Sequence, residues 1–150
     1  MEEDQLLLEN QVCFPIYSVS RLITKAYQPH LDKMGITYPQ YLVLMVLWEK
    51  DKLPVNSISE QLMLNTNTLS TLLKRMEKME LLERRRSPQD ERSVIVELTK
   101  KGLELKNMAK PIPGELVNIL LKENIQLSEV VQLKNMLNEW IEILSKNNKD

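Results

Sequence analysis

The sequence predicts a mainly α chain with one small β-hairpin. Only three glycines occur, and Leu, Met, Glu and Lys abound, a composition that favours helix. Two short amphipathic helical patterns, one from about Val55 to Leu62 and one ending near Met79, are separated by a cluster of residues that prefer helix caps. Immediately after them the apolar period changes from helical to alternating, over Val94 to Leu98.

Each element follows from local pattern. From Gln11 to Tyr27, Val12, Ile16, Val19, Ile23 and Ala26 recur at helical spacing, and Pro29 limits continuation. Thr37-Tyr38-Pro39 starts a second helix, because proline suits the first helical turn. Tyr41 to Trp48 is apolar almost all round, so this helix is expected at the centre of the core. Asp51 to Pro54 reads as a connector. A third helix over about Val55 to Leu62 turns Ile58 and Leu62 inward. Asn65-Thr66-Asn67-Thr68 then caps a fourth, marked by Leu69, Leu72, Leu73 and Met76. This outline is a helix-turn-helix.

Val94, Val96 and Leu98 alternate with Ile95, Glu97 and Thr99, and Leu81 to Arg86 can pair with them across the polar turn Ser87-Pro88-Gln89-Asp90-Glu91. A helix-turn-helix followed at once by such a hairpin is a winged helix. Thr99 caps a helix starting at Lys100, which is interrupted around Pro111-Ile112-Pro113-Gly114. The last helix, about Ser128 to Ser145, is expected to bury Val130, Leu133, Leu137, Trp140, Ile141 and Leu144. We therefore expect a single domain over residues 1–150. Its centre, about 54–98, is a winged helix-turn-helix, flanked by N- and C-terminal dimerisation helices at about 10–34 and 100–146. The arms can form an intramolecular bundle or a dimer interface. The dimer is favoured, because helix-turn-helix proteins usually read two half-sites related by a two-fold axis.

Composition removes several function classes. The formal net charge is −1, so a polybasic coat is absent although local basic patches are not. The longest apolar run, Tyr41 to Trp48, is eight residues and cannot span a bilayer. The acidic start, Met1-Glu2-Glu3-Asp4, lacks the basic region of a secretory signal, and a cytoplasmic chain without membrane partners is expected. One cysteine, Cys13, and one histidine, His30, leave no cysteine metal cluster and no paired imidazoles, so no metal is expected. Gly35, Gly102 and Gly114 form no phosphate-cradling loop. No cofactor and no enzymatic activity are expected.

The fourth helix exposes Thr66, Asn67, Ser70, Thr71, Lys74 and Arg75, with Thr68 in its first turn. Asn can pair with adenine, and Ser and Thr can donate to or accept from several bases. Lys74 and Arg75 come about one turn later, where a helix leaving the groove meets phosphates. Lys74 to Arg86 holds six basic residues, including Arg84, Arg85 and Arg86, against three acidic, a net of +3 in a chain of −1. Beside a helix-turn-helix such a run reads as a phosphate tracker. Arg92 lies beyond the turn, where it can reach a minor groove. Asp90 can fix its direction by a charge-assisted hydrogen bond. Double-stranded operator DNA, pseudo-palindromic for a two-fold dimer, is the expected partner.

Cys13 lies at the start of the first helix. With Asn10 as cap it is the third helical residue; with Phe14 as cap, Pro15 takes the first position and Cys13 lies just outside. Either register puts the sulfur near unpaired N–H groups, where a thiolate is favoured. The plainer alternative is an inert small hydrophobe. Tyr17, four residues on, shares the helix face and can hydrogen-bond the thiolate. Tyr27 is 14 residues away, about 21 Å along a straight helix, and can serve a cysteine only across an antiparallel dimer contact. Tyr38 must arrive by folding or from a partner.

These residues resemble the MarR-type transcription regulators, particularly the organic-hydroperoxide-sensing OhrR branch. The matching pieces are Asn10-Gln11-Val12-Cys13-Phe14, Ile36-Thr37-Tyr38-Pro39-Gln40-Tyr41, Leu72-Leu73-Lys74-Arg75-Met76-Glu77 and Asp90-Glu91-Arg92-Ser93-Val94. The similarity runs from about Glu9 to the last helix. It implies an obligate homodimer with the wing and fourth helix on DNA. It also implies a reactive cysteine bonded by tyrosines, some from the other subunit, at Cys13, Tyr17, Tyr27 and Tyr38, and wing residues Asp90 and Arg92. Two departures stand out: Pro15 so early in the helix, and the lack of the second cysteine that captures the oxidised first one in some relatives. Oxidised Cys13 is then capped by a small cellular thiol in a mixed disulfide, reacts with a backbone nitrogen, over-oxidises, or pairs with Cys13 of another chain.

The expected function is a redox-sensing repressor that releases operator DNA when an organic hydroperoxide oxidises Cys13. The rivals are a winged-helix regulator controlled by an anionic aromatic ligand, a thiol peroxidase, and an architectural helical adaptor.

Overall fold

The structure, a computed structural model, describes residues 3–147. The chain divides into two units, one reaching Lys110 and the other starting at Pro111.

In the first unit, two 3-10 turns, Glu3–Leu6 and Leu8–Asn10, lead into α1, Cys13–Met34. Pro29 does not stop this helix. A proline removes one i→i−4 hydrogen bond, but Pro29 and Lys25 are both exposed, so water can meet the carbonyl left over. The buried Leu31 and Met34 hold the last turn on the core, and Gly35 ends it at φ +68°, a left-handed cap that glycine adopts without penalty.

α2, Tyr38–Glu49, opens with a capping box: the Thr37 hydroxyl accepts from the Gln40 N–H, and the Gln40 side chain accepts from the Thr37 N–H. As expected it is the central helix, burying Gln40, Tyr41, Val43, Leu44, Val46 and Leu47. Residues 53–54, expected as connector, form a short strand β1, Leu53–Pro54. α3 is Val55–Leu62, α4 is Thr66–Lys78, β2 is Leu82–Arg86 and β3 is Val94–Leu98. Ile58 is fully buried and Leu62 only half so.

The expected hairpin is therefore part of a three-stranded antiparallel sheet, order β1-β3-β2. Leu53 lies opposite Val96, which lies opposite Arg84 on its other side. β1 holds an edge, the one place where a proline's missing N–H costs no ladder bond. Ile58, Leu69, Leu73, Met76, Leu81, Leu82 and Val96 bury almost completely where α3 and α4 meet the sheet. Each such side chain stabilises the fold by about 1.5–3 kcal/mol. This packing holds wing and α4 together.

Thr99 caps α5, Lys100–Ala109, by accepting from the Gly102 N–H. The Trp48 indole N–H donates to the Gly102 carbonyl at 2.9 Å, and Lys106 Nζ donates to the Trp48 carbonyl at 3.0 Å, tying α5 to α2.

The second unit holds α6, Ile112–Lys122, and α7, Leu127–Asn147. α6 begins inside the expected Pro111–Gly114 interruption, with proline in its first turn. The expected burial along the last helix is not found: no α7 residue is buried, and Leu133, Trp140, Ile141 and Leu144 are exposed. An amphipathic stripe reports that a helix needs a partner surface, not that its own chain supplies one.

Candidate nucleic-acid interface and thiol site

The α3–α4 turn runs through Met63, a non-glycine residue at φ +55°. The Leu64 N–H donates to the Ser59 carbonyl, and the Ser59 hydroxyl donates to the Leu64 carbonyl. From the expected cap cluster, Asn65 takes the cap: its side chain accepts from the Thr68 N–H at 2.8 Å. Leu69, Leu73 and Met76 then face the core, while Thr66, Asn67, Thr68, Thr71, Lys74 and Arg75 are exposed and Ser70 is half-buried. The Thr71 hydroxyl donates back to the Asn67 carbonyl.

The wing departs from expectation in two contacts. Asp90 holds the backbone N–H of Arg92 at 3.0 Å, not its guanidinium. With one residue between them, the nearer donor is the main chain, and an Asx-type turn forms. Arg92 is exposed, as are Arg85, paired with Glu83, and Arg86. Arg84 instead turns inward onto Glu77 of α4. Sequence reading had no signal for that pair, whose members sit on different elements.

At the other end of the unit, α1 begins at Cys13 itself, with Val12 in the cap position in helical geometry and no side-chain cap bond. Neither Asn10 nor Phe14 caps it. Pro15 fits because its missing N–H is one of the first-turn donors that have no helical partner anyway. Cys13 is a free, exposed thiol. Tyr17 is exposed and carries the Arg21 guanidinium over its ring, 5.4 Å from the centroid.

Tyr27 and Tyr38 come together within one chain, edge to face with centroids 5.5 Å apart. Tyr41 joins them at 5.8 and 6.1 Å, and Trp48 follows at 6.1 Å from Tyr41. Sequence reading missed Tyr41 as a member, although its i+3 spacing from Tyr38 was a visible clue. Burial, with the neighbouring Tyr38 phenol, pushes Tyr27 above the usual tyrosine range. Burial first, then Tyr27 and Tyr38, does the same to Tyr41. Both therefore stay protonated donors at neutral pH. The unbroken α1 keeps Tyr27 about 21 Å from its own Cys13. Among the described residues, no helix is long and apolar enough to cross a membrane.

An amphipathic α4 exposing short polar and basic side chains, braced against a basic β-wing, defines a winged-helix protein of the DNA-reading type. A family model described as transcriptional regulator SarA/Rot matches residues 25–108. The organic hydroperoxide resistance transcriptional regulator of Bacillus subtilis is 46% identical over 145 residues, 97% of each chain. A solved structure of reduced AbfR bound to DNA, a protein of Staphylococcus epidermidis, is 34% identical, with a TM-score of 0.77 over 96% of this chain and 99% of that one. Its disulfide-formed state superposes less closely, with a TM-score of 0.62 at the same identity over 100% of this chain and 98% of that one. The chain belongs to the SarA/Rot group of MarR-like winged-helix transcriptional regulators.

Proposed function

We propose that the chain is a redox-responsive repressor, a homodimer that holds a pseudo-palindromic operator when reduced and releases it when an organic hydroperoxide oxidises Cys13. One observation carries this reading. An exposed thiol opens the same unbroken helix that, about 21 Å on, carries Tyr27, against which Tyr38 of α2 packs. Two such helices crossed antiparallel bring each thiol to the other subunit's phenols. The uncovered apolar side chains of α1, among them Phe14, Ile16, Val19 and Leu22, with Val12 at its cap, support such a contact. So, separately, do those of α7. The relatives support the chemistry: one is named for organic hydroperoxide resistance, and AbfR has reduced and disulfide forms.

In this reading the Tyr27 and Tyr38 phenols donate to the Cys13 thiolate. The sulfur attacks the outer peroxide oxygen, the O–O bond breaks, and the leaving alkoxide takes a proton to become the alcohol. The sulfenic acid then condenses with a small cellular thiol, losing water and forming a mixed disulfide. A near-complete switch needs the two states to differ about 10⁴-fold in DNA affinity, and a bulky adduct wedged into a tyrosine cluster is suited to that. On the fourth helix and wing, Thr66, Asn67, Thr68, Ser70 and Thr71 read bases, Lys74, Arg75, Arg85 and Arg86 meet the backbone, and Arg92 reaches into the minor groove.

The test is a gel shift on the DNA upstream of the chain's own coding sequence, with and without cumene hydroperoxide, for wild type and Cys13→Ser. Both proteins should bind the reduced-condition probe, and only wild type should let go on oxidation. Equal release by both removes Cys13 from the mechanism. Sustained hydroperoxide turnover, far above one equivalent per subunit, points to a peroxidase instead.

A further inference from the structure

Arg84 belongs to the basic run expected to track phosphates, yet it is the one arginine of that run that faces inward. Glu77 Oε1 accepts the Arg84 backbone N–H at 3.1 Å, and Glu77 Oε2 accepts from Arg84 Nε at 3.2 Å and Nη2 at 2.8 Å. One carboxylate of α4 thus grips both the main chain and the guanidinium of a β2 residue. The Arg84 side chain keeps only 22% of its exposure, against 71% for its neighbour Arg85. Hydrogen bonding to Arg84 holds the Glu77 carboxyl below the usual range, so this carboxylate is ionised at neutral pH. A cleft of about 180 Å³ separates α4 from the wing, and Thr66, Ser70, Arg84 and Arg92 line it. The grip therefore spans the two elements that must meet DNA together.

We propose that Glu77 and Arg84 are positioning residues for DNA reading: their clamp sets the angle between α4 and the wing, and Arg84 itself meets no phosphate. This rests on the DNA-binding reading above. A guanidinium neutralised by a carboxylate displaces no counterions from DNA. A phosphate contact, by contrast, adds about 0.9 to the slope of log affinity against log salt. A planar fork is also geometric, so lysine, which keeps the charge, cannot replace it.

The experiment measures salt-dependent binding of wild type, Arg84→Ala, Arg84→Lys and Glu77→Gln to two duplexes, the upstream DNA and a scrambled sequence of equal length. Circular dichroism checks that each variant is folded. All three variants should weaken upstream binding by roughly tenfold, about the worth of one bidentate charged pair, with the wild-type salt slope. A slope about 0.9 shallower in Arg84→Ala, with Arg84→Lys restoring wild-type binding, makes Arg84 a phosphate contact and overturns the clamp. Wild-type affinity in Glu77→Gln overturns it equally. Should wild type bind neither duplex, the regulator reading itself falls, a failure distinct from a changed slope in a protein that binds.

Discussion

Replacing Gly102 with Ala sets two opposed effects against each other. Alanine is the better helix former by about 1 kcal/mol, so helix propensity alone predicts stabilisation. The surroundings predict the reverse. A Cβ at Gly102 would lie 2.0 Å from the Leu81 carbonyl oxygen and 3.2 Å from Leu98 Cδ2, where ordinary contact begins near 3.4 Å. The obstacle is backbone, so no side-chain rotation clears it, and α5 must retreat from the β2 entry by more than 1 Å. Retreat strains the Thr99 N–H bond to Leu81 and the Trp48 indole bond to Gly102 itself. Overpacking of this kind costs about 3 kcal/mol and the weakened indole bond about 1 kcal/mol. Less the propensity gain, Gly102→Ala should lose about 3 kcal/mol. For a chain of this size that lowers the melting temperature by roughly 6–12 °C, measurable by thermal denaturation followed by circular dichroism. A variant that melts at or above wild type would refute the packing argument.

Two further outcomes follow from the caps and the tyrosine cluster. Asn65→Ala removes the acceptor of the Thr68 N–H and should cost about 1 kcal/mol, which Asn65→Ser largely restores; equal melting of all three proteins would show that the cap contributes nothing. Because Tyr27 and Tyr41 are raised by burial, the folded state keeps protons that the unfolded chain sheds near pH 10. Stability from these groups is therefore full below pH 10 and falls as pH rises through their folded values. Phenolate absorbance during alkaline titration should show two late steps, one lost in each of Tyr27→Phe and Tyr41→Phe, and a single common step would contradict this.

The uncovered helices bear on how such a molecule can switch. α1 carries the thiol, and the tyrosine cluster packs around α2, which is tied to α5 through Trp48, Gly102 and Lys106. At the wing's exit, the Thr99 N–H donates to the Leu81 carbonyl and its hydroxyl to the Glu80 carbonyl, so hydrogen bonds run from α2 through α5 to the root of the wing.

Much of this architecture was legible in residue order. The α2 start at Thr37-Tyr38-Pro39, the cap cluster at Asn65, the Thr99 cap and the α3 boundaries all rest on partners within about one helical turn, so a short window of sequence contains the whole interaction. The alternation of β3 is equally local, and so was the argument that α1 is too long for Tyr27 to reach its own Cys13. What lay beyond sequence was every outcome settled between distant segments. β1 is two residues long and exists only because β3 offers it an edge. Pro29 stays helical because Leu31 and Met34 have a core to bury in. Asp90 chose a main-chain donor, and Glu77 drew Arg84 out of the basic run. Gly102 is small because a carbonyl from another element lies where its side chain would be. The α7 stripe shows the same division from the other side: periodicity displays an appetite for contact, and only the assembled chain reveals whether that appetite is met.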